Sequence, residues 1–416
     1  MKRSIQLLKA TVLLMFAALV MPGCLKDTCT RTYTLLTPVY KTMQQVRANI
    51  RNAPSQQIES PGKLFMYGNY IFLNEVDKGV HVIDNSNPAQ PVNKYFITIP
   101  GNVDVAVRGN ILYADMYSDM VTIDISNPSA IQLKGVVNNA FPERRYSNGF
   151  VADTAMVIVD WARKDTMVEC MGNMIAWERG LFFDAGIASA QSAVKAATGI
   201  AGSMARFSLM NDYLYTVSDN ALNVFNVVQP ESPVFTNKVD FGWGIETIFP
   251  FKNNLFIGST TGMFIFGTGN PAAPNQISRF THMRACDPVI ADDSYAFVTL
   301  RTGNACAGFN NQLDVLDITN LQNPTLLKSY ALKNPHGLSK DGNLLFICDG
   351  TGGVKMFNAA NVHNLAHIKT IEGVDAYDVI ATNNIALVVA KDGLYQYSYA
   401  NPADLKLLSK MGITKN

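Results

Sequence analysis

The stretch VDVAVRGNILYADMYSDMVTIDISNPSAIQLKGVV, Val103 to Val137, decides the fold. It reads as four short strands: Val103 to Val107, Ile111 to Ala114, Met120 to Ile125 and Gln132 to Val137. Arg108-Gly109-Asn110 makes the first turn, because Gly and Asn reach φ > 0 at little cost. Ser126-Asn127-Pro128 joins the third strand to the fourth, where proline cannot donate to a ladder and so ends a strand. Working outward, the same unit recurs. Its polar turns centre on Asn69, Asn110, Asn148, Asp212, Asn254, Ser294, Asn343 and Asn384. Its third strands begin at Val80, Met120, Met156, Leu222, Met263, Leu313, Val354 and Leu394. A strand repeat of about forty residues predicts an all-β β-propeller of four-stranded blades. Eight units predict eight blades, with seven as the alternative, since Pro142 to Tyr146 makes a poor first strand for unit three.

The Asn-Pro joint recurs at Asn87-Pro88, Asn270-Pro271, Asn323-Pro324 and Asn401-Pro402, with looser versions at Gln229-Pro230 and Asn361-Val362. The third strands, such as Val80 to Asp84, Met120 to Asp124 and above all Met156 to Asp160, together with this joint, resemble the LVIVD repeat family of bacterial secreted and surface β-propellers. The resemblance spans residues 60–413 and implies the fold. It implies no activity. Asn226, Gly267 and Ser398 replace the terminal Asp in units four, five and eight, so that position reads as a turn cap that bonds nearby backbone N–H groups.

Residues 1–23 carry Lys2 and Arg3, then an apolar run from Ala10 to Met21, then Pro22-Gly23 before Cys24. This is the layout of an export signal and is short for a membrane span. Gly23-Cys24 resembles the lipobox of bacterial lipoproteins, which implies a lipidated Cys24 and an outer-membrane lipoprotein facing the periplasm or the outside. Residues 24–60 then read as a tether with a short helix around Thr42 to Ile50, and 61–413 as the propeller. Removing residues 1–23 takes Lys2, Arg3 and Lys9 from 34 basic side chains and nothing from 33 acidic ones. A near-neutral mature chain argues against a nucleic-acid partner; the membrane contact expected is the lipid.

In a four-stranded meander, the loops between strands two and three and between units lie at one end, the top. Both long insertions fall there: the Gly/Ala-rich 171–202 and Arg301 to Asn311. Insertions gathered on one face of a repeat protein mark its binding face. Near the top of the first strands stand Lys63, Asp104, Arg206, Glu246, Asp287, His336 and Asp378. They read as solvated channel lining or as a polar site for a small ligand at the channel mouth. Cys286 and Cys306 belong to one unit, both at its top, and are expected to form a disulfide in an exported protein. No C-x-x-C, G-x-S-x-G, P-loop or H-E-x-x-H motif occurs, and His363 and His367 sit on a strand joint where their spacing does not converge. No cofactor, metal or catalytic residue is assigned. The leading expectation is a non-enzymatic binding or scaffolding module for an envelope protein or glycan. The competing one is a glycan-active hydrolase or lyase using the channel carboxylates.

Overall fold

The computed structural model describes residues 30–142, 156–169, 199–282, 288–302 and 311–413. The chain divides into two compact units, 1–39 with 160–181, and 40–159 with 182–416. The larger unit is a propeller of seven four-stranded antiparallel blades. The blades span residues 61–98, 105–137, 207–240, 245–281, 289–331, 338–371 and 376–412. The first strand of each blade contacts the first strand of the next, from blade seven back to blade one, so these strands line the axis.

The count corrects the expectation of eight. Unit three makes no blade. Met156–Glu169 is one long strand that pairs with Thr30–Thr42 in a separate two-stranded sheet. Its Asp160 caps no turn; its Oδ1 accepts from the adjacent Trp161 N–H within the strand. The turn expected at Asn148 lies outside the described residues.

Local chemistry builds most blades the same way. The terminal polar residue of the third strand accepts a backbone N–H two residues on: Asp84 from Ser86, Asp124 from Ser126, Asn226 from Val228, Asp317 from Thr319 and Asn358 from Ala360. A second such turn follows at Asn87, Asn127, Asn270, Asn320, Asn361 and Asn401. In blade five that turn is built on Asn320-Leu321, not on the expected Asn323-Pro324. Beside it, the register between third and fourth strands shifts by a bulge in all seven blades, as at Val82/Ile83 and Gln396/Tyr397. A bulge adds right-handed twist, which stacked blades require.

Second and third strands are almost wholly buried, and the apolar core runs round the ring between neighbouring blades. Phe256 and Met263 of blade four pack with Val289 and Val298 of blade five. Leu313 and Val315 of blade five pack with Leu345 and Ile347 of blade six. Polar groups stitch the same seams: Thr122 Oγ1 donates to Glu231 O, Tyr215 OH to Pro271 O, Ser278 Oγ to Leu321 O and Tyr330 OH to Val362 O. Each takes a carbonyl from the turn after the third strand of the next blade.

Residues read as tether take part in the fold. Thr42 caps a short helix, Met43–Arg47, through a capping box with Gln45. The helix buries Met43 and Val46 against blades one and two, and Arg47 pairs with Asp119. Arg51–Pro54 then adds an outer strand to blade one.

Candidate functional site

The top of the channel is where the sequence placed its candidate residues. The structure fills it with chain. Gly199–Ala201 pairs with the innermost strand of blade one. The backbone continues to Arg206 and bonds to one blade after another. Gly202 N–H donates to Leu64 O of blade one at 3.3 Å. Ser203 N–H donates to Asp378 Oδ1 of blade seven at 3.2 Å, and Ser203 Oγ accepts from Leu338 N–H of blade six at 2.6 Å. Ala205 O accepts from Ile248 N–H of blade four, and Arg206 N–H donates to Asp104 Oδ2 of blade two. Ser203, Met204 and Ala205 are buried. The end of the predicted insertion is thus a plug rather than a loop.

The plug absorbs the channel carboxylates. Asp104 forms a buried ion pair with Lys63 at 2.8 Å. Burial is the leading influence on both partners, holding Lys63 below and Asp104 above their usual ranges against their mutual attraction. Asp378 is wedged between two glycines. A Cβ on Gly202 would stand 1.8 Å from Asp378 Oδ2, and one on Gly337 would stand 2.1 Å from Asp378 Oδ1. Burial pushes the Asp378 carboxyl up to about 7, against the hydrogen bonds from Val379 and Ser203 that favour its charged form. Its Oδ2 has no hydrogen-bond partner among the described residues.

His336 stands on the other side. Burial, then the nearby Arg301 charge, lower its imidazole to about 3, so it is neutral. Its Nε2 lies 3.1 Å from Asn334 Nδ2, and its ring sits 5.3 Å from that of Tyr377. Arg301, which the repeat alignment did not single out, lies close enough to Glu246 for that charge to raise its pKa, though burial lowers it more. Of the expected residues, Lys63, Asp104, Arg206 and Asp378 lie near one another at the plug, Lys63 and Asp104 joined directly, while His336 and Glu246 each lie near Arg301. Asp287, Cys286 and Cys306 lie outside the described residues. His363 and His367 do not converge: His367 Nε2 lies 2.9 Å from Thr370 Oγ1, and its ring packs on Phe357. Among the described residues, no three His, Cys, Asp or Glu side chains are placed to hold a metal ion.

A second set of carboxylates went unread in the sequence. Glu75 ends the second strand of blade one, Asp115 is the penultimate residue of that of blade two, and Asp349 follows that of blade six. Each accepts two backbone N–H groups from the loop entering its own blade: Glu59 and Ser60, Val103 and Asp104, Lys333 and Asn334. They fix the top loops. Burial would raise Glu75, but bonds from buried His81 and from those two N–H groups bring it below its usual range.

What the top face offers outward is different. Trp243, between blades three and four, is 68% exposed. A cleft of about 450 Å³ on blade seven is lined by Gly373, Asp375, Lys391, Asp392 and Ile413. Trp177, Phe182 and Phe183, the aromatic residues of the insertion, lie outside the described residues. No described helix is long and apolar enough to cross a membrane.

The LVIVD repeat model matches residues 62–96, 101–139 and 294–331, within blades one, two and five. Met156–Asp160, the strand nearest that spelling, lies outside these stretches and outside the ring. No curated protein matches the chain by sequence. Among solved structures, a protein from Lactobacillus plantarum is 13% identical with a TM-score of 0.56, over 85% of this chain and 97% of that one. The Pseudomonas aeruginosa periplasmic gluconolactonase PpgL is 11% identical with a TM-score of 0.52, over 85% and 97%. The computationally designed Ika8 protein is 10% identical with a TM-score of 0.53, over 88% and 92%. Likeness at these identities concerns the fold alone. The chain is a β-propeller in which three stretches are LVIVD repeats.

Proposed function

We propose that the protein is a lipid-anchored envelope propeller that binds a protein or glycan partner on its top face without catalysing a reaction. The observation that carries this reading is the plug. A substrate needs an open channel mouth and free carboxylates. Gly199–Arg206 occupies that mouth, Lys63 and the Arg206 N–H hold Asp104, and Ser203 holds Asp378 between two glycines. Binding is left to the outer top surface, where Trp243 supplies a large exposed aromatic side chain of the kind that anchors interfaces or stacks on sugars. Export and acylation rest on the signal layout and Gly23-Cys24. The fold is shared with a periplasmic protein, which is compatible with that address.

The test compares wild type, Trp243→Ala and Lys328→Ala, the last on an outer strand, against a glycan array and in crosslinking to envelope proteins. Selective loss with Trp243→Ala is expected. Glycan cleavage by the wild type that disappears in Asp378→Asn would establish the hydrolase or lyase instead. For the anchor, labelled palmitate is expected to mark the wild type and not Cys24→Ser; equal labelling of both would exclude it.

A further inference from the structure

Trp243 stands where the chain crosses from blade three to blade four, between two glycines. A Cβ on Gly242 would touch Phe264 Cζ at 3.5 Å, and one on Gly244, whose φ is +68°, would stand 2.1 Å from Thr260 Oγ1. The loop is tied down on both sides. Phe241 N–H and Ile245 N–H donate to Asn220 O and Asp219 O of blade three, and Thr260 N–H of blade four donates to Gly244 O. Phe241 packs its ring on those of Phe264 and Phe266, with centroids 5.0 and 4.7 Å away. The backbone under the indole is therefore fixed, and the indole itself is 68% exposed.

Two charged side chains border this loop without a counter-ion. Arg279, on the outer strand of blade four, lays its guanidinium 4.9 Å from the centroid of Phe264 and donates to Thr261 Oγ1 at 3.0 Å. It is exposed, and among the described residues no carboxylate pairs with it. The ring and the hydroxyl hold it in place and leave its remaining N–H groups free. Arg279 and Gly242 rest on the same ring, and Arg279 and Gly244 meet adjacent threonines, so the guanidinium borders Trp243 on the blade-four side. Asp219 borders it on the blade-three side, where its carbonyl receives Ile245 N–H. Its carboxylate is exposed and has no partner among the described residues. Asp240, close by, is already held by Lys238 at 3.3 Å and by Asn220 Nδ2 at 3.4 Å.

We propose that Trp243, Arg279 and Asp219 form a subsite for one pyranose ring of a glycan. The apolar C–H face of the sugar stacks on the indole, and its hydroxyls accept from Arg279 and donate to Asp219. This rests on the reading of the top face as the binding surface and names its ligand. Two observations select a sugar over a protein. First, Trp243 stands alone. Outside the two-stranded sheet, every other exposed large apolar side chain among the described residues, such as Val92, Leu133, Phe235, Leu326 and Leu407, lies at the opposite end of the ring, where third strands turn into fourth strands. An anchor for a protein needs apolar neighbours that close round it and exclude water, and none is exposed at this end. Second, the polar groups are of both kinds. Arg279 can only donate and the Asp219 carboxylate can only accept, whereas each sugar hydroxyl does both. A donor and an acceptor bordering one flat apolar ring match a sugar, with its apolar face and its rim of hydroxyls.

The test follows the indole itself. The chain has three tryptophans, so Trp161→Phe with Trp177→Phe leaves Trp243 as the sole indole reporter. The mature protein is screened on an array of neutral and acidic oligosaccharides, and the strongest hits are titrated by fluorescence. Binding is expected, with a shift in Trp243 emission on saturation. Trp243→Ala, read on the array, is expected to abolish it. Arg279→Ala and Asp219→Asn are each expected to weaken it about tenfold or more. Leu326→Ser, at the opposite end of the ring, is expected to change nothing. Unchanged thermal unfolding shows that each variant is folded. Binding that leaves Trp243 emission unmoved, or that Arg279→Ala and Asp219→Asn do not weaken, overturns the proposal. Binding confined to acidic oligosaccharides and insensitive to Asp219→Asn overturns it as well. A blank array with Trp243-dependent crosslinking to an envelope protein also overturns it, leaves the top face a binding surface and makes the partner a protein. A blank array without such a crosslink fails both readings, so the two are told apart.

Discussion

Gly202→Ala is expected to destabilise the propeller, and removing Asp378 is expected to abolish the effect. The Cβ would stand 1.8 Å from Asp378 Oδ2 and 2.4 Å from Cγ, so one group must move by about 1.5 Å to regain normal contact. Neither moves freely. Gly202 is fixed by its N–H bond to Leu64 O, and Asp378 Oδ1 by Ser203 on one side and the close approach of Gly337 on the other. Overpacking of this kind costs about 1–3 kcal/mol, and the upper half of that range applies where both sides are held. Asp378→Ala alone strands the Ser203 N–H, a loss of about 1–3 kcal/mol, offset in part because a carboxylate no longer has to be buried. With the carboxylate gone there is room for the methyl group. In the Asp378→Ala background, Gly202→Ala should therefore cost less than about 0.5 kcal/mol, a coupling of about 1–3 kcal/mol. Urea unfolding of the four proteins, at unchanged m-value, measures it. Additive effects, or a Gly202→Ala protein as stable as wild type, would refute the placement of the plug.

Lys63→Met leaves Asp104 buried without its cation and should cost about 3–5 kcal/mol; adding Asp104→Asn should recover much of it, and urea midpoints of both variants decide the matter. Two channel groups should make stability depend on pH in opposite senses. The folded carboxyl of Asp378, at about 7, is raised above its ordinary value, so its contribution is full in acid and is lost as pH rises toward 7. Asp378→Asn should thus gain about 2 kcal/mol relative to wild type between pH 5 and pH 8, and a constant difference would contradict this. The folded imidazole of His336, at about 3, is lowered, so stability is lost as pH falls below about 6.5, and His336→Asn should soften that acid limb in pH-dependent melts. In exported protein, peptide mapping without reduction is expected to recover a Cys286–Cys306 disulfide. Alkylation of both thiols in the native protein would exclude it.

The repeat was legible because its signals are local. A Gly-Asn turn, an Asx turn at the end of a strand and the alternation of a strand each depend on a few adjacent residues. The blade count failed for a reason that was also local. Asp160 is followed by Trp161-Ala162-Arg163-Lys164, not by the Asn85-Ser86-Asn87-Pro88 that follows Asp84. The third-strand spelling was present without the turn that makes it a blade strand, and a strand is defined by its partners. The channel mouth was half legible. Repeat alignment found Lys63, Asp104, Arg206, Glu246, His336 and Asp378 because equivalent positions in equivalent blades meet at the axis. Their condition depends on contacts far apart in sequence: Ser203 with Asp378, Lys63 with Asp104. The one local hint of the plug is its run of small residues, Ala201-Gly202-Ser203 before Met204, which permits close backbone approach.

The plug also bears on how the ring is closed. The four strands of each blade are contiguous in sequence, so blade one receives no blade strand from the C-terminus. The seam between blades seven and one is closed by side chains: Ile71 and Leu73 packed with Leu387 and Val389, the reciprocal bonds of Asn85 and Gln396, and Ser409 Oγ on Pro88 O. Gly202 is bonded to blade one while Ser203 is bonded to blade seven. One short segment therefore fills the channel and bridges the seam that closes the ring. Opening the channel to a substrate would release that bridge and expose the Lys63–Asp104 pair and Asp378 together. An enzyme using these carboxylates would have to loosen its own closure in every turnover, whereas a binding module that presents its outer face keeps the plug seated.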